Sequence, residues 1–300
     1  MSTLTSAPMS PLYRRRLWVH RLGISLSFLA MVFGVGALIW ILAMLLYRGF
    51  GAFGINLLTQ ITPTQGRTPG AADAGGLLNP IVGSLMMVGI GTLISTPVGI
   101  LAGIYLAEYG DRSWIAKVTR FVTDIMLSAP SIVIGLFIYA IYITGPLRFG
   151  ASPHFSGWAG SFALSLIAVP VIVRATDNML NLVPTSLREA AYALGAPHWK
   201  VALMIRLRAV KAGVMTGVLL AIARIAGETA PLLYTALNNW YLSYNMNAPM
   251  SNLPKVIYDF ANGTDDNQIS LGWGAALLIT FSVLALNIVS RLVSSQKTPT

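Results

Sequence analysis

Six long apolar runs constrain the fold of this 300-residue sequence more than any other feature. A helix needs roughly 20 mostly apolar residues to cross the ~30 Å hydrocarbon core of a bilayer, so runs of this kind predict transmembrane helices. The fourth run is the shortest. The chain is therefore expected to be an all-α integral membrane protein. The predicted spans cover approximately residues 22–47, 81–106, 121–144, 158–173, 213–237 and 271–289.

The composition agrees with a chain that faces lipid. Hydrophobic residues make up 55% of it and charged residues only 10%, against roughly 25% charged residues in soluble domains. We expect one transmembrane domain over residues 14–293, which includes a long loop over about 174–212. A disordered tail is expected over 1–13, which has little apolar surface, and a C-terminal tail over 294–300. The first run is too long for a signal peptide and is interpreted as a retained anchor.

The formal net charge of +10 comes from basic residues that concentrate on one side of the predicted spans. With a cytoplasmic N-terminus, about three quarters of the Lys and Arg residues fall in cytoplasmic parts, as the positive-inside rule requires. Both termini are therefore expected in the cytoplasm, and nucleic-acid binding is a poor explanation of the charge. The chain has no cysteine and three scattered histidines, so the sequence indicates no metal site.

A short helix is predicted in the loop between the fourth and fifth spans. Ser186 and Glu189 have the spacing of a capping box, and Gly195 suits the left-handed position that ends a helix. At 1.5 Å per residue the helix is about 12 Å long and cannot span a bilayer. Its apolar face either rests on lipid headgroups or docks into another protein. This face consists of Leu187, Ala190, Ala191 and Leu194.

Two charged residues, Arg224 and Glu228, interrupt the fifth span. A charge at the bilayer centre costs about 2.5–3.5 kcal/mol on insertion scales, so both should face a partner or a wet cavity. Their spacing of four places them on one helical face, close to Pro231. They form either a structural ion pair or an anion site with Glu228 as the counter-charge. Arg174, at the inner end of the fourth span, either snorkels to the interface or adds a second guanidinium fork.

The second span contains Gly99 and Gly103 in GxxxG spacing, which is interpreted as close helix packing.

In the last outer loop an amphipathic helix is predicted before Gly263, at the outer membrane interface. This helix is expected to rest on lipid or to help receive an external binding protein. Its apolar stripe consists of Leu253, Val256, Ile257 and Phe260.

The loop helix also resembles a known motif. The sequence has EAA, then three residues, Gly, nine residues, Ile, one residue and Leu. This pattern is similar to the EAA loop of ABC importer permeases. Arg208 stands where that pattern has proline. In those permeases the loop is the coupling helix that sits in a cleft of the cytoplasmic ATPase, so the resemblance implies this role for residues 186–195. The matching residues are Glu189, Ala190, Ala191, Gly195, Ile205 and Leu207.

Nearly the whole chain after residue 13 resembles the permease subunits of phosphate-specific ABC importers. The resemblance implies a type I ABC importer permease fold, with phosphate passing Arg174 and Arg224. It also implies a complex in membrane lipid with a second homologous permease, an ATPase dimer and an external phosphate-binding protein. This chain is expected to bind no cofactor, since ATP and Mg belong to the ATPase. The similar segments read GIYLAEYG, LSAPSIVIGLF, FSGWAG, SLREAAYALG and LLAIARIAGETAPLL.

Other functions fit the sequence less well. The sequence has no GxxxxGK[ST] nucleotide-binding loop, so the chain is not expected to be an enzyme. A permease for another oxyanion, such as sulfate or molybdate, remains an alternative, because arginine forks alone do not separate these anions. An open channel would leak, since drawing a dianion inward against 100 mV costs roughly 4–5 kcal/mol. A secondary anion transporter could supply that energy but would not need a coupling helix.

Overall fold

The structure is a computed structural model that describes residues 11–63, 75–110, 113–144 and 155–295. Most of the predicted tail over 1–13 and the last five residues of the tail over 294–300 lie outside the described residues. The chain divides into two compact units, Met1–Arg48 and Gly49–Thr300.

The first unit is described by one helix, α1 (Pro11–Gly51), which continues to the start of the second unit. The mean hydropathy of its most apolar window is 2.6, and no residue of that window is buried in the chain. Such a surface is suited to lipid or to another apolar chain. The helix contains the predicted span 22–47.

Every regular element that the structure describes in the second unit is helical, as predicted. Two of the segments are π-helical turns, Tyr139–Ile143 and Val201–Arg206. The α-helices are α2 (Ile55–Thr59), α3 (Leu78–Tyr109), α4 (Trp114–Ser128), α5 (Ser131–Ile138), α6 (Gly157–Asn181), α7 (Thr185–Ala193), α8 (His198–Lys200), α9 (Leu207–Ala209), α10 (Lys211–Ala226), α11 (Ala230–Leu233), α12 (Leu253–Ala261) and α13 (Asp266–Ser295).

Four helices are long and apolar enough to cross a membrane, and six spans result if each of two bent helix pairs counts as one. The four long helices are α1, α3, α6 and α13, which contain four of the predicted spans. The two bent pairs are α4 with α5, and the segment His198–Ala209 with α10. The prediction of about six apolar spans therefore agrees with the fold only when bent segments are included.

The third predicted span, 121–144, is not one continuous helix. α4 ends at Ser128, Ala129 is extended, and α5 starts after Pro130, with a bend of 108° between the two parts. The ring of Pro130 disfavours a helical backbone at the preceding residue and removes a donor, which explains the break. Averaging hydropathy over the whole run hides the break, because the short segment 128–131, Ser-Ala-Pro-Ser, is followed by strongly apolar residues.

The fifth predicted span, 213–237, is also wrong as a continuous helix. α10 ends at Ala226, and the short α11 begins only at Ala230, with Pro231 in its first turn. Pro231 has no amide hydrogen and cannot donate to the carbonyl of Gly227 one turn earlier, which favours a break here. Arg224 therefore lies before the break, and the rest of the predicted span lies after it.

α6 is the central helix of the second unit, and 67% of its most apolar window is buried inside the chain. It packs along α3 through glycines that allow close approach. A Cβ added at Gly99 would lie 2.7 Å from Ile172 Cβ, and one at Gly103 would lie 2.6 Å from Thr176 Cβ. Both distances are too short for real side chains, which confirms the packing interpretation of the GxxxG spacing. The paired residue numbers rise together, so the two helices run parallel.

α10 packs antiparallel to α6. Gly217 abuts Ala175, and Gly213 abuts Met179, so one residue number rises as the other falls. Continuing this register places Arg224 beside the middle of α6. The largest apolar core forms around these helices. It consists of Met87, Leu164, Ile167, Ala168, Ile172, Val218, Ala221, Ile225, Leu232, Ala236, Met246 and Met250.

α12 confirms the helix predicted before Gly263, but its apolar stripe has a different role. Leu253, Val256 and Phe260 are buried in a core that also includes residues of α13. The helix starts at Asn252, whose side chain accepts a hydrogen bond of 2.9 Å from the amide of Lys255. The chain itself therefore covers most of this stripe, so the stripe does not rest on lipid, while the role of the helix in receiving a binding protein stays a prediction.

Candidate functional site

The short loop helix is present as α7, but its start differs from the prediction. The helix begins at Thr185 after Pro184, and no side chain caps its first amides. Ser186 lies inside the first turn, so its backbone has left the extended conformation that a capping residue requires. The predicted capping box between Ser186 and Glu189 is therefore wrong, and Pro184 sets the start instead.

The end of α7 agrees with the prediction. Gly195 has a φ of +79°, in the left-handed region that favours glycine. Its amide donates to Tyr192 O at 2.9 Å, and the amide of Ala196 donates to Ala191 O at 3.2 Å. These two bonds form a Schellman motif, which satisfies carbonyls that the helix end leaves free.

The predicted apolar face of α7 is mostly open in the described part of the chain. Ala191 is buried, whereas Leu187, Ala190 and Leu194 are exposed, with 89% of Leu194 accessible. Glu189 is exposed as well. The helix is held to the following segment by Tyr192, whose hydroxyl lies 2.9 Å from a ring nitrogen of His198. α7 thus presents an apolar surface that the chain itself does not cover.

A buried ion pair joins the segment after α7 to two long helices, and the sequence analysis missed it. Arg206, at the end of a π-helical turn, pairs with Glu108 near the end of α3. Its guanidinium also donates to Leu180 O, near the end of α6, at 2.8 Å. The side chain of Arg206 is only 6% exposed. Because the partners lie 98 residues apart in sequence, no local pattern could have identified them.

Arg224 and Glu228 form a loose ion pair. Arg224 Nε lies 3.8 Å from Glu228 Oε1, too far for a hydrogen bond. The prediction that both lie on one face of a continuous helix is wrong in one respect, because Arg224 is in the last turn of α10 and Glu228 follows its end. Arg224 is 42% exposed and Glu228 is 17% exposed. A half-exposed guanidinium with a distant partner retains donors for an anion.

Arg174 has a partner that the sequence analysis did not name. Its guanidinium donates to Asp124 on α4, at 2.5 Å, and each side chain is 51% exposed. Three residues further along α6, Asp177 forms a second ion pair with Arg120 of α4 at 3.3 Å. Each of the antiparallel helices α4 and α6 carries one arginine and one aspartate, which pair across the contact. Only the fold shows that these two helices lie side by side.

The two arginines predicted to act on an anion lie at different depths. In the α6–α10 register, Arg224 lies beside residues near 168, about six positions before Arg174. At 1.5 Å per residue this is a separation of roughly 9 Å along the helix axis. The two arginines therefore lie at different depths and on different faces of the central helix, rather than around one anion. In the described residues, no group of three His, Cys, Asp or Glu could hold a metal ion.

Comparisons with known proteins agree with this architecture. The family model of the binding-protein-dependent transport system inner membrane component matches residues 99–295. Relatives named phosphate transport system permease protein PstA are 54% identical in Pasteurella multocida and 52% in Haemophilus influenzae, each over 93% of this chain. These matches cover 95% and 94% of the relatives.

Similarity also extends to a more distant organism and to a solved structure. A PstA 1 protein of Mycobacterium tuberculosis is 33% identical over 94% of this chain and 91% of its own length. An inward-facing structure of the MetNI methionine ABC transporter has a TM-score of 0.55 at 19% identity. The match covers 74% of this chain and 94% of the MetNI chain, and it confirms the predicted fold class.

Proposed function

The chain belongs to the family of binding-protein-dependent transport system inner membrane components, and from this we propose that it is the permease subunit of an ATP-driven phosphate importer. The observation that carries the proposal is the 54% identity over 93% of the chain to a phosphate transport permease. Similarity over this length extends well beyond the motifs that all such permeases share. The apolar helices suit a multi-pass protein of the bacterial inner membrane.

The exposed surface of α7 supports a role in coupling transport to ATP hydrolysis. We infer that residues 186–195 dock into a cytoplasmic ATPase dimer, which binds ATP and Mg²⁺, and that this chain hydrolyses no ATP itself. Exposed Leu187, Ala190 and Leu194 provide the apolar contact area. The proposal places both termini and α7 in the cytoplasm, with the phosphate-binding protein outside and a second, homologous permease alongside.

Arg224 and Arg174 are proposed to contact phosphate successively as it passes α6. Both guanidiniums are about half exposed, so their remaining donors are accessible to an anion. A guanidinium binds two oxygens of a phosphate at once, which suits each residue to this role. Glu228 is the counter-charge that prevents Arg224 from holding a dianion too tightly, because transport requires that the anion leave again.

The test of this function is uptake by the reconstituted complex. The chain is copurified with its second permease and ATPase, placed in vesicles and supplied with phosphate, sulfate or molybdate on loaded binding proteins. We expect ATP-dependent uptake of phosphate alone. Uptake of sulfate or molybdate instead would assign the chain to another oxyanion, and phosphate uptake without ATP would identify a secondary transporter.

Changes in α7 should weaken its docking to the ATPase and so reduce phosphate transport. Glu189→Lys reverses a charge on the exposed docking surface, and Gly195→Val strains a residue that needs a positive φ. Each variant is expected to remain in the membrane while phosphate uptake falls at least about tenfold, which corresponds to a loss of ~1.4 kcal/mol in docking. Uptake, membrane abundance and ATPase copurification are measured together.

The matched control is Lys117→Glu, a charge reversal at an exposed position of α4 outside α7. It should leave uptake close to that of the unchanged protein. If the α7 variants bind the ATPase and transport normally, the assignment of α7 as the coupling helix is wrong.

A further inference from the structure

Each arginine proposed to meet the anion has a carboxylate beside it. Arg224 has Glu228, and Arg174 has Asp124. The second pair is the more open one, because both of its side chains are 51% exposed. Asp124 comes from a different helix, so its position beside Arg174 depends on how α4 packs on α6. A carboxylate is an unexpected neighbour in a site that must attract an anion, unless it has a role in recognition.

The Arg174–Asp124 pair has unused hydrogen-bonding capacity. Among the described residues, one Nη2 to Oδ1 bond is the only hydrogen bond that either side chain makes. A guanidinium has five N–H donors, and a carboxylate has two oxygens that only accept. The pair therefore offers several donors next to a free acceptor. A ligand that fits both must accept hydrogen bonds through some oxygens and donate one through another.

The Arg174–Asp124 pair is not the only ion pair between α4 and α6 in the described part of the chain. Arg120 and Asp177 already join the two helices, and Arg120 also donates to Leu106 O, while Asn181 donates to Asp177. Asp177 is only 10% exposed, whereas Asp124 is half exposed. Half-exposed ion pairs contribute little to stability and open readily. A ligand can therefore separate Arg174 from Asp124 and bridge them.

Building on the proposed phosphate-import function, we propose that Asp124 selects oxyanions that still carry a proton. Arg174 donates to the unprotonated oxygens of the anion, and the carboxylate of Asp124 accepts a hydrogen bond from its hydroxyl group. At neutral pH phosphate and arsenate each retain a P–OH or As–OH group, whereas sulfate and molybdate have none. Sulfate and molybdate therefore cannot donate a hydrogen bond to Asp124, and its carboxylate oxygens repel theirs.

This arrangement supplies the discrimination that arginine forks alone lack. A site built around a hydrogen bond rejects an analogue that cannot form it, because a buried or partly buried polar group is then left unpaired or repelled. Size alone would group the four anions differently, since molybdate and arsenate are both larger than sulfate and phosphate. Selection by the proton on the anion can therefore be distinguished experimentally from selection by the size of the anion.

The test is anion binding to the purified complex without the external binding protein, which would impose its own selectivity. Radiolabelled phosphate is bound to the complete membrane complex and displaced by arsenate, sulfate or molybdate. In the unchanged protein only arsenate should compete well. In Asp124→Asn the amide can donate to a sulfate oxygen, so the preference for phosphate over sulfate should fall by roughly tenfold. Arsenate should still compete as before, and Asp124→Glu should retain the preference.

Two further variants separate the possible outcomes. Asp177→Asn alters the neighbouring pair and should lower stability without changing the ratio of phosphate to sulfate affinity. Arg174→Gln should weaken binding of every oxyanion. If Arg174→Gln leaves phosphate binding unchanged, the proposed anion site itself fails. If Arg174→Gln weakens phosphate binding while Asp124→Asn leaves the ratio unchanged, the site stands and the selecting role of Asp124 is overturned.

Discussion

Replacing Arg206 by methionine is expected to lower the free energy of unfolding by about 3–5 kcal/mol, the typical cost of removing one partner of a buried ion pair. The change leaves the carboxylate of Glu108, which is only 15% exposed, without its cation. It also removes the donor to Leu180 O. Membrane abundance and the thermal unfolding midpoint of the purified complex measure the effect, and both should fall clearly.

A double variant and an exposed pair serve as controls for this result. Arg206→Met combined with Glu108→Leu removes both charges and should recover much of the lost stability. Arg174→Met, in the half-exposed pair with Asp124, should cost no more than about 1 kcal/mol. If Arg206→Met and Arg174→Met have equal effects on stability, burial does not determine the contribution of these pairs.

Arg224→Gln is expected to reduce phosphate uptake by about tenfold to a hundredfold, in line with the ~1.5–3 kcal/mol of a hydrogen bond to a charged group. The complex should still assemble, because Arg224 is 42% exposed and its ion pair with Glu228 is loose. Arg224→Lys should restore part of the uptake, since an ammonium retains the charge but not the fork. Glu228→Gln should retain or increase phosphate occupancy and slow its release. Uptake and membrane abundance are measured for each variant.

A purely structural ion pair would behave differently. In that case Arg224→Gln would leave Glu228 unpaired and reduce the abundance of the subunit. Adding Glu228→Gln would then restore both abundance and uptake. A double variant that transports phosphate at the normal rate would therefore rule out the anion site at Arg224.

Local chemistry in the sequence predicted some features correctly. Gly195 ends α7 with a positive φ, as expected of a glycine at that position, and Gly99 and Gly103 lie at close contacts between α3 and α6. Both results follow from the absence of a side chain, which is visible in the sequence. The helical fold itself follows from the length of the apolar runs.

The features that the sequence analysis missed depend on contacts between distant segments or on competition within a turn. Asp124 and Arg174 are 50 residues apart, and their pairing appears only when α4 lies against α6. The start of α7 was misplaced because Ser186 fits a capping pattern while Pro184 imposes the extended conformation first. Averaging hydropathy over the third and fifth runs likewise hides their two breaks, each of which has a proline beside it.

The two helix breaks have a consequence for the energy of an ion inside the bilayer. The segments that follow the two breaks pack against each other, because Gly135 of α5 abuts Pro231 of α11. Interrupted helices leave amide and carbonyl groups that hydrocarbon cannot solvate, so protein or water must surround them at this depth. The membrane is therefore locally polar there. Under the proposed function, an anion in transit at this depth exchanges part of its hydration shell for these dipoles, which lowers a Born penalty of tens of kcal/mol in pure hydrocarbon.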